Sequence, residues 1–455
     1  MIDVDATAQL MALRTGVLGA RELMAMTLDK IGAENGALNA VVALRDPDAL
    51  LEEAERAPRG PLQGLPIAIK DLAETAGVTT TYGSPIFKSF VPETDNAMVA
   101  RLRKAGAIII GKTNTPEFGL GSHSYNPVYG ITRNPYDTSK SAGGSSGGAG
   151  AALASRMVAL ADGSDMMGSL RNPAGWNNVF GFRPSYGLVA GSGPGDMFLS
   201  QLATEGPMAR SIRDLELLLA IQSEYDPGHP HSSGPYAPAE LDRPLRIGWL
   251  GDWGGAYQME PGVMDLCQEA LGVLEKLGHQ IEVMSPPFSA EALWDAWISL
   301  RSWAIATKQG GLVDEPDGRI KPELRWEIER GLAVTSAQVH AASAIRSDWF
   351  RRTAQMKVDV IALPSAQLFA FDAEIDWPKE IAGHQMDTYH RWMEVVVPAS
   401  LTGLPALSVP AGFGPSRTPM GLQLIGHRGD DAMILALGRA YEAATNWTLQ
   451  APKQI

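Results

Sequence analysis

Two glycine-rich turns that carry serines are the stretches of this chain whose residue types and spacing suggest chemistry. The first turn reads GGSSGG over 143–148, and the second places Ser169 directly after Asp-Met-Met-Gly. An alanine-rich segment of helical length separates them. A glycine loses more backbone freedom on folding than any other residue, so two such turns are costly to order. We infer that their backbones closely approach a ligand, an oxyanion or another strand.

A serine hydroxyl is a weak nucleophile until a neighbouring group takes its proton. No histidine is close to either turn in sequence, the nearest being His123. Lys70, by contrast, ends the apolar stretch PIAIK, where an unpaired lysine is unusual because lysine is rarely fully buried. If burial lowers its pKa, Lys70 can act as the base and Ser145 can relay the proton from Ser169. The alternatives remain open: Lys70 reaches solvent, and the serines of the first turn only bond the turn backbone.

Nucleotide binding is the main competing interpretation of the glycine-rich stretches. Residues 106–113 (GAIIIGKT) match the spacing of a phosphate-binding loop, but their middle is a strand pattern and no clear helix opens at Thr113. The GGSSGG turn is not followed by Gly-Lys-Ser/Thr, and the chain lacks the dinucleotide-binding spacing. The residues therefore favour amide or ester cleavage over nucleotide binding, without deciding for a hydrolase on their own.

Composition limits the classes of protein that this chain can belong to. Of its 455 residues, 45% are hydrophobic and 20% charged, which suits a globular protein with a large core. The net charge of −13 argues against non-specific binding to nucleic acid. The single cysteine, Cys267, forms no internal disulfide and is expected to be core packing. The chain shows neither a signal-peptide pattern nor an apolar run of about 18 residues, so we expect a soluble, cytoplasmic protein without a membrane span.

Helical and strand patterns alternate along the chain, which predicts an α/β sheet protein. The predicted helices are 5–15, 19–33, 46–56, 97–105, 212–222, 262–277, most of 289–357, 388–401 and 430–446. The predicted strands are 38–44, 66–69, 106–111, 245–250, 280–284, 358–364, 406–410 and 421–426. Residues 121–140 and 181–195 look irregular, and the proline-rich stretch 225–244 looks like a surface linker. Its two histidines are not expected to bind a metal.

Three motifs together resemble the signature of the amidase signature family. They are GLPIAIKD at 64–71, GGSSGG at 143–148 and GSDMMGSLRNPA at 163–174, with 24 residues from Ser145 to Ser169. Further matching stretches are RLRKAGAIIIGKTN, TRNP, GFRPSYG, TGLPALSVPAGF and GLQLIG. The resemblance covers about residues 20–225 and 355–445, and the two-serine motif with a strand-end lysine is far more specific than a lone glycine-rich loop.

The resemblance implies a Ser–Ser–Lys triad. In that family, the residue at the position of Ser169 is the nucleophile that forms the acyl-enzyme. Ser145 corresponds to the bridging serine, which the family holds next to a cis peptide bond, and Lys70 corresponds to the base. The family's oxyanion-hole donors map onto the backbone N–H groups of Met166, Met167, Gly168 and Ser169. Its supporting hydrogen bonds map onto Ser146, Asp165 and Arg171.

The chain departs from the family pattern beside the nucleophile. Met167 stands where most members have glycine, which raises the question of whether a left-handed backbone is needed there. Asn178 replaces a usual glycine, and Trp176 adds bulk just after the motif. Pocket residues are harder to assign. The aromatic candidates for substrate binding are Tyr125, Trp176, Phe198 and Trp303.

The resemblance also implies a fold and an activity. The implied fold is one domain over 1–455, a mixed, twisted β-sheet with helices on both faces. Its parts are a signature core at about 60–225, a helical insert at about 285–357 and a return to the core at about 358–447. The implied activity is hydrolysis of a small non-peptide amide to an acid and ammonia or an amine, without metal or cofactor.

Two other functions stay open at the level of sequence. One is the A-type subunit of a glutamyl-tRNA amidotransferase, which releases ammonia from glutamine for a partner that modifies tRNA. The other is a catalytically weakened family member that acts as a binding protein, for which Met167 is the main support. As partners we expect only a small-molecule amide, no nucleic acid and no membrane, with a homodimer left open.

Overall fold

One eleven-stranded sheet organises the protein in the computed structural model, which describes residues 1–56, 58–191, 196–199 and 201–453. Its strand order is β1-β3-β2-β8-β10-β9-β16-β17-β13-β11-β12. The strands are β1 Val41–Val42, β2 Pro66–Lys70, β3 Ile108–Thr113, β4 Tyr125–Asn126, β5 Gly130–Ile131, β6 Arg133–Asn134, β7 Asp137–Ser141, β8 Leu160–Asp165, β9 Phe180–Arg183, β10 Thr204–Ala209, β11 Arg246–Trp249, β12 Gln280–Val283, β13 Val360–Pro364, β14 Glu380–Ile381, β15 His384–Gln385, β16 Ala406–Phe413 and β17 Pro419–Gly426.

Helices pack around this sheet. They are α1 Ala6–Thr15, α2 Ala20–Leu38, α3 Pro47–Glu55, α4 Ala97–Lys104, α5 Gly147–Ala154, α6 Arg171–Trp176, α7 Ile212–Gln222, α8 Val263–Lys276, α9 Ala290–Gln309, α10 Pro322–Ala333, α11 Ser336–Gln355, α12 Val397–Thr402 and α13 Asp431–Thr445. Within the described residues, none of these helices combines the length and apolarity that crossing a bilayer requires.

The sheet is mixed in direction. Strand β2 runs parallel to its neighbours β3 and β8, and β11 runs parallel to β12 and β13. The strands between these two groups pair antiparallel. Every residue of β2, β3, β13 and β17 is buried. A strand that is buried at successive positions is covered on both faces, so the predicted mixed α/β sheet with helices on both sides is confirmed.

Three central strands, β8, β9 and β10, are absent from the sequence prediction. The pattern over 181–195 predicts a loop, yet β9 occupies 180–183 between β10 and β16, and residues 192–195 lie outside the described residues. A Cβ on Gly181 would lie 2.1 Å from the Leu170 oxygen, and one on Gly206 in β10 would lie 2.4 Å from the Phe182 oxygen. These glycines allow close backbone approach, which weakens the apolar pattern by which strands are recognised.

Two other predictions need correction. The irregular stretch 121–140 contains two small antiparallel pairs, β4 with β5 and β6 with β7. The single helix predicted over 388–401 is instead a 3₁₀ segment, Arg391–Val396, followed by the short helix α12. Pro398 lies in the first turn of α12, where its missing N–H costs nothing, whereas a proline inside one continuous helix would break it.

Helix α9 is held tightly by its neighbours α10 and α11 in the helical segment. A Cβ on Gly331 of α10 would lie only 2.0 Å from the backbone oxygen of Ser302 in α9. Glycine is therefore required at this crossing, because any side chain would push the two helices apart.

We expect Gly331→Ala to destabilise the protein by about 1–3 kcal/mol through overpacking at this crossing. The matched control is Gly272→Ala in α8, where an added Cβ meets no atom within 4 Å. There alanine should stabilise the helix by up to about 1 kcal/mol. Urea unfolding of the two variants checks both signs, and equal midpoints would contradict the tight crossing.

Candidate active site

Lys70 ends strand β2, and its side chain lies inside the protein. The residue is 1% exposed. Its Nζ lies 2.8 Å from both Ser145 Oγ and Ser146 Oγ, and 3.1 Å from Ser164 Oγ. Its backbone N–H donates to Asp162 Oδ1 at 3.0 Å. The amine therefore meets the hydroxyls of the glycine-rich turn and does not reach solvent.

Burial changes the protonation of Lys70. Loss of water disfavours an ammonium ion, and burial lowers the pKa of Lys70 to about 7, against the opposing attraction of the Asp162 carboxylate. Burial also raises the pKa of Asp162 to about 6. A substantial fraction of Lys70 is therefore a neutral amine near pH 7, the form that can accept a proton.

The glycine-rich turn brings Ser145 to this amine and then opens helix α5. Gly143 has a left-handed backbone, with φ of 76°. The peptide bond between Gly144 and Ser145 is cis, as the resemblance implies. A Cβ on Gly147 would lie 2.4 Å from Ser124 Oγ. The glycines of the turn thus provide a left-handed position and close packing against a neighbouring loop.

A buried carboxylate organises the second turn, which connects β8 to α6. Asp165 accepts hydrogen bonds from the backbone N–H groups of Gly168 at 2.8 Å and Leu170 at 3.2 Å. Its carboxylate also pairs with Arg171 at 3.0 Å and Arg183 at 3.4 Å. Burial by itself would raise the pKa of Asp165, but the two guanidinium groups hold it well below its usual range. The turn that carries Ser169 is therefore built on a permanently charged carboxylate.

The backbone N–H groups of this turn are not equivalent. The resemblance implies four oxyanion donors, at Met166, Met167, Gly168 and Ser169. The Gly168 N–H already donates to Asp165, and this removes Gly168 from the expected set of free oxyanion donors. Within the described residues, the N–H groups of Met167 and Ser169 have no protein acceptor. They remain available to an oxygen atom in the adjoining cavity.

Met167 does not impose the steric cost that its position suggests. The left-handed position of the turn is Gly168, with φ of 79°, and Met167 is not among the residues with positive φ. A Cβ on Gly168 would also lie 2.9 Å from Val396 Cγ1. The left-handed backbone of this turn is therefore needed at Gly168, which the chain retains as glycine, and not at Met167.

A cavity of about 290 Å³ joins the two turns to helix α9. Its polar lining residues are Ser145, Ser164, Ser169, Arg301, Lys308 and Gln309. Its apolar and aromatic lining residues are Leu72, Tyr82, Phe118, Leu120, Met166, Met167, Ala203, Ala304, Ile305 and Met393. Both serines of the predicted triad therefore face one small cavity with polar and apolar walls, which suits a small organic ligand.

Two aromatic residues form a wall of this cavity that the sequence did not reveal. Tyr82 and Phe118 have left-handed backbones, with φ of 52° and 50°. The Phe118 N–H donates to the Tyr82 oxygen at 2.7 Å, and their rings lie 6.3 Å apart at an interplanar angle of 10°. Such backbones are costly for bulky residues and persist where the surrounding structure imposes them. The sequence gives no spacing signal for this pair.

The aromatic residues proposed from the sequence as pocket residues do not line the cavity. Trp176 is fully buried and its indole N–H donates to the Leu368 oxygen, so it belongs to the core. Phe198 is 63% exposed on the surface. Both proposals rest on closeness in sequence to the motif or on aromatic character, neither of which determines where a side chain points.

The other two aromatic candidates are also displaced. Trp303 lies two residues after Arg301 in α9, about 200° around the helix, so it leaves the face that meets the cavity. Tyr125 lines a separate small recess, where the Lys321 Nζ lies 5.1 Å from its ring centroid.

Helix α9 supplies site residues that the sequence analysis missed. Arg301, Ala304, Ile305 and Lys308 all line the cavity. Their spacing of three, four and seven residues is that of one helix face. This spacing was a usable signal in the helical segment, although it does not say which face meets the cavity.

Comparison with known proteins agrees with the fold and with the family that the motifs resemble. The family model described as Amidase matches residues 22–435. The A subunit of the glutamyl-tRNA(Gln) amidotransferase of Thermus thermophilus is 35% identical, over 94% of this chain and 95% of its own. Among solved structures, a bacterial aryl acylamidase of the amidase signature family superposes with a TM-score of 0.89 at 27% identity, covering 98% of this chain and 97% of that one.

A solved structure of another glutamyl-tRNA(Gln) amidotransferase A subunit is also similar to this chain. This A subunit, from the glutamyl-tRNA(Gln) amidotransferase of Thermotoga maritima, superposes with a TM-score of 0.76 at 28% identity, covering 96% of this chain and 95% of that one. Fold and motifs define an α/β enzyme that acts on amides. The chain belongs to the amidase signature family.

We expect Asp165→Asn to destabilise the protein by about 3–5 kcal/mol, since it leaves two buried guanidinium groups without their carboxylate. The control is Asp348→Asn, which removes an exposed ion pair with Arg351 and should cost less than about 1 kcal/mol. Chemical unfolding measures both. Similar losses in the two variants would contradict the central place of Asp165.

Proposed function

We propose that this protein cleaves the C–N bond of a small carboxylic amide through an acyl-enzyme on Ser169. One observation carries the proposal: the buried Lys70 amine lies 2.8 Å from Ser145 Oγ, while Ser145 and Ser169 line the same cavity. A lysine of this kind, neutral near pH 7, can substitute for the histidine of other serine hydrolases.

The proposed first step is a proton relay. Neutral Lys70 takes the proton of Ser145 Oγ as Ser145 takes the proton of Ser169 Oγ. The Ser169 oxygen then forms a bond to the amide carbon, and the carbonyl oxygen gains negative charge. Ser146 and Ser164 hold the lysine Nζ in place, since their hydroxyls lie 2.8 and 3.1 Å from it.

The oxyanion is stabilised by backbone donors of the second turn. We assign this role to the N–H groups of Met167 and Ser169, with Met166 as a further donor, because Gly168 is engaged by Asp165. One such donor typically lowers the barrier by about 3–4 kcal/mol. Asp165 and Arg171 support the turn without touching the substrate.

Collapse of the intermediate breaks the C–N bond. The proton held by the Lys70–Ser145 pair passes to the departing nitrogen, which leaves as ammonia or an amine. Water then attacks the acyl-enzyme, and the same pair accepts its proton. The carboxylic acid leaves and Ser169 regains its hydrogen, so the proposed reaction consumes only the amide and one water molecule.

We expect Ser169→Ala to lower kcat for 4-nitroacetanilide at least about a thousandfold, because the nucleophile is lost. Ser155→Ala is the control: Ser155 is also buried, but its hydroxyl donates to backbone oxygens at the end of its own helix, and it does not line the described cavity. Mass spectrometry of the wild type should show an acyl adduct that Ser169→Ala lacks. Unchanged turnover in Ser169→Ala would refute the assigned nucleophile.

The pH dependence follows from the protonation of Lys70. Below its pKa of about 7 the amine is protonated and cannot accept a proton, so kcat/KM should fall as the pH falls through about 7. Burial lowers the pKa of His123 to about 4, so this histidine cannot produce that limb. A profile of kcat/KM measured from about pH 5.5 to 8.5 with a neutral anilide tests this. A flat profile would contradict Lys70 as the base.

The second candidate is the amidotransferase A-type subunit, which cleaves the amide of glutamine. The curated relatives support this candidate better than a stand-alone amidase, because full-length similarity connects the chain to proteins of that name. The cavity supports the stand-alone amidase, since no aspartate or glutamate occurs among its described lining residues to receive the ammonium group of glutamine. Ammonia release from L-glutamine, measured beside anilide hydrolysis with the same Ser169→Ala control, separates the two.

The catalytically weakened alternative loses its main argument. It rests on Met167, whose backbone avoids the left-handed region. The N–H of Met167 also remains available beside the cavity. We therefore favour an active enzyme over a binding protein.

A further inference from the structure

Helix α9 presents two cationic side chains to the cavity. We propose, on the basis of the function proposed above, that the substrate is an amide carrying a carboxylate, which binds along the face of α9 from Arg301 to Lys308. Both residues line the cavity. They are seven residues apart, which is about 10.5 Å along a helix.

Arg301 forms the inner end of this face and is 3% exposed. Its Nε donates to Glu327 Oε1 at 2.7 Å, and its Nη2 donates to Tyr389 Oη at 2.7 Å. Its Nη1 lies 3.2 Å from Met166 Sδ, and a thioether is only a weak acceptor. The side of the guanidinium that faces the cavity is therefore poorly satisfied, while Glu327 lies behind it and does not line the cavity.

Lys308 forms the outer end of the face. It is exposed in the last turn of α9, and within the described residues it forms no ion pair. Ala304 and Ile305 lie between the two cations on the same helix face. This arrangement suits a ligand with a short apolar linker and an anionic end.

The sign of the cavity differs from that of the whole protein. The chain has a net charge of −13, yet the charged residues among the described lining are both cationic: Arg301, which is paired with Glu327 behind it, and Lys308. A cleft lined by one sign of charge raises the local concentration of ligands of opposite sign. The net negative charge of the rest of the protein does not attract an anion, so we place the selectivity for an anionic substrate on α9.

Matched substrates test the proposal on the acyl side and on the amine side. Glutaryl-4-nitroanilide is compared with neutral pentanoyl-4-nitroanilide, and N-butyryl-4-aminobenzoate with neutral N-butyrylaniline. The measured quantity is the ratio of kcat/KM for the charged substrate to that for its neutral partner. We expect the wild type to prefer the charged member of at least one pair by about fivefold or more, the scale of an exposed ion pair.

Variants of α9 connect this preference to the proposed face. Lys308→Met should remove most of it and Lys308→Glu should reverse it. The control Lys276→Met removes an exposed lysine from the last turn of α8, outside the cavity, and should keep the wild-type ratio. A wild type that favours the neutral substrates, or a preference that survives in both Lys308→Met and Arg301→Gln, would overturn the proposal.

A binding measurement separates this proposal from the proposed reaction. Calorimetry of glutaryl-4-nitroanilide with Ser169→Ala needs no turnover. Binding that weakens about fivefold when Lys308→Met is added supports the anion site even if the wild type hydrolyses none of these amides. Equal binding in the single and double variants contradicts it, whether or not the amidase activity is found.

Discussion

The enclosure of one amine within the sheet sets the arrangement of the other site residues. Lys70 can be uncharged near neutral pH because β2 is covered on both sides. Burial of its amine is tolerated because three serine hydroxyls lie within hydrogen-bond distance of Nζ. Strand β8, parallel to β2, pairs Ala161 with Ala68 and brings Asp162 to the lysine backbone. The pairing of these two strands thus positions the base.

A charged cluster positions the second turn. Asp165 ends β8, and its carboxylate joins backbone N–H groups of the turn to Arg171 and Arg183. Arg171 also donates to Gln423 on β17 and to Ser400 on α12. The turn that carries Ser169 is therefore attached to elements more than 200 residues away, which restricts its motion. A fixed turn holds its N–H groups in constant positions, and this is what oxyanion stabilisation requires.

The two sides of the cavity have different origins in the chain. The side with the serines comes from the two signature turns. The opposite side comes from α9, and Tyr82 with Phe118 adds an aromatic wall. Since α9 lies apart from the two turns, changes along this helix can alter the cavity without disturbing Lys70 or Asp165.

The sequence by itself indicated the family and the mixed α/β sheet, and it singled out Lys70, Ser145 and Ser169 as candidates, because glycine-rich turns and a strand-end lysine leave local signals. Only the tertiary structure decided that Gly168 is engaged by Asp165, that Trp176 is core, and that α9 supplies the opposite wall. It also revealed β9 and β10, whose glycines replace side-chain pattern with close backbone contact. These features depend on which surfaces meet across long stretches of chain, and that is a property of packing which local spacing does not encode.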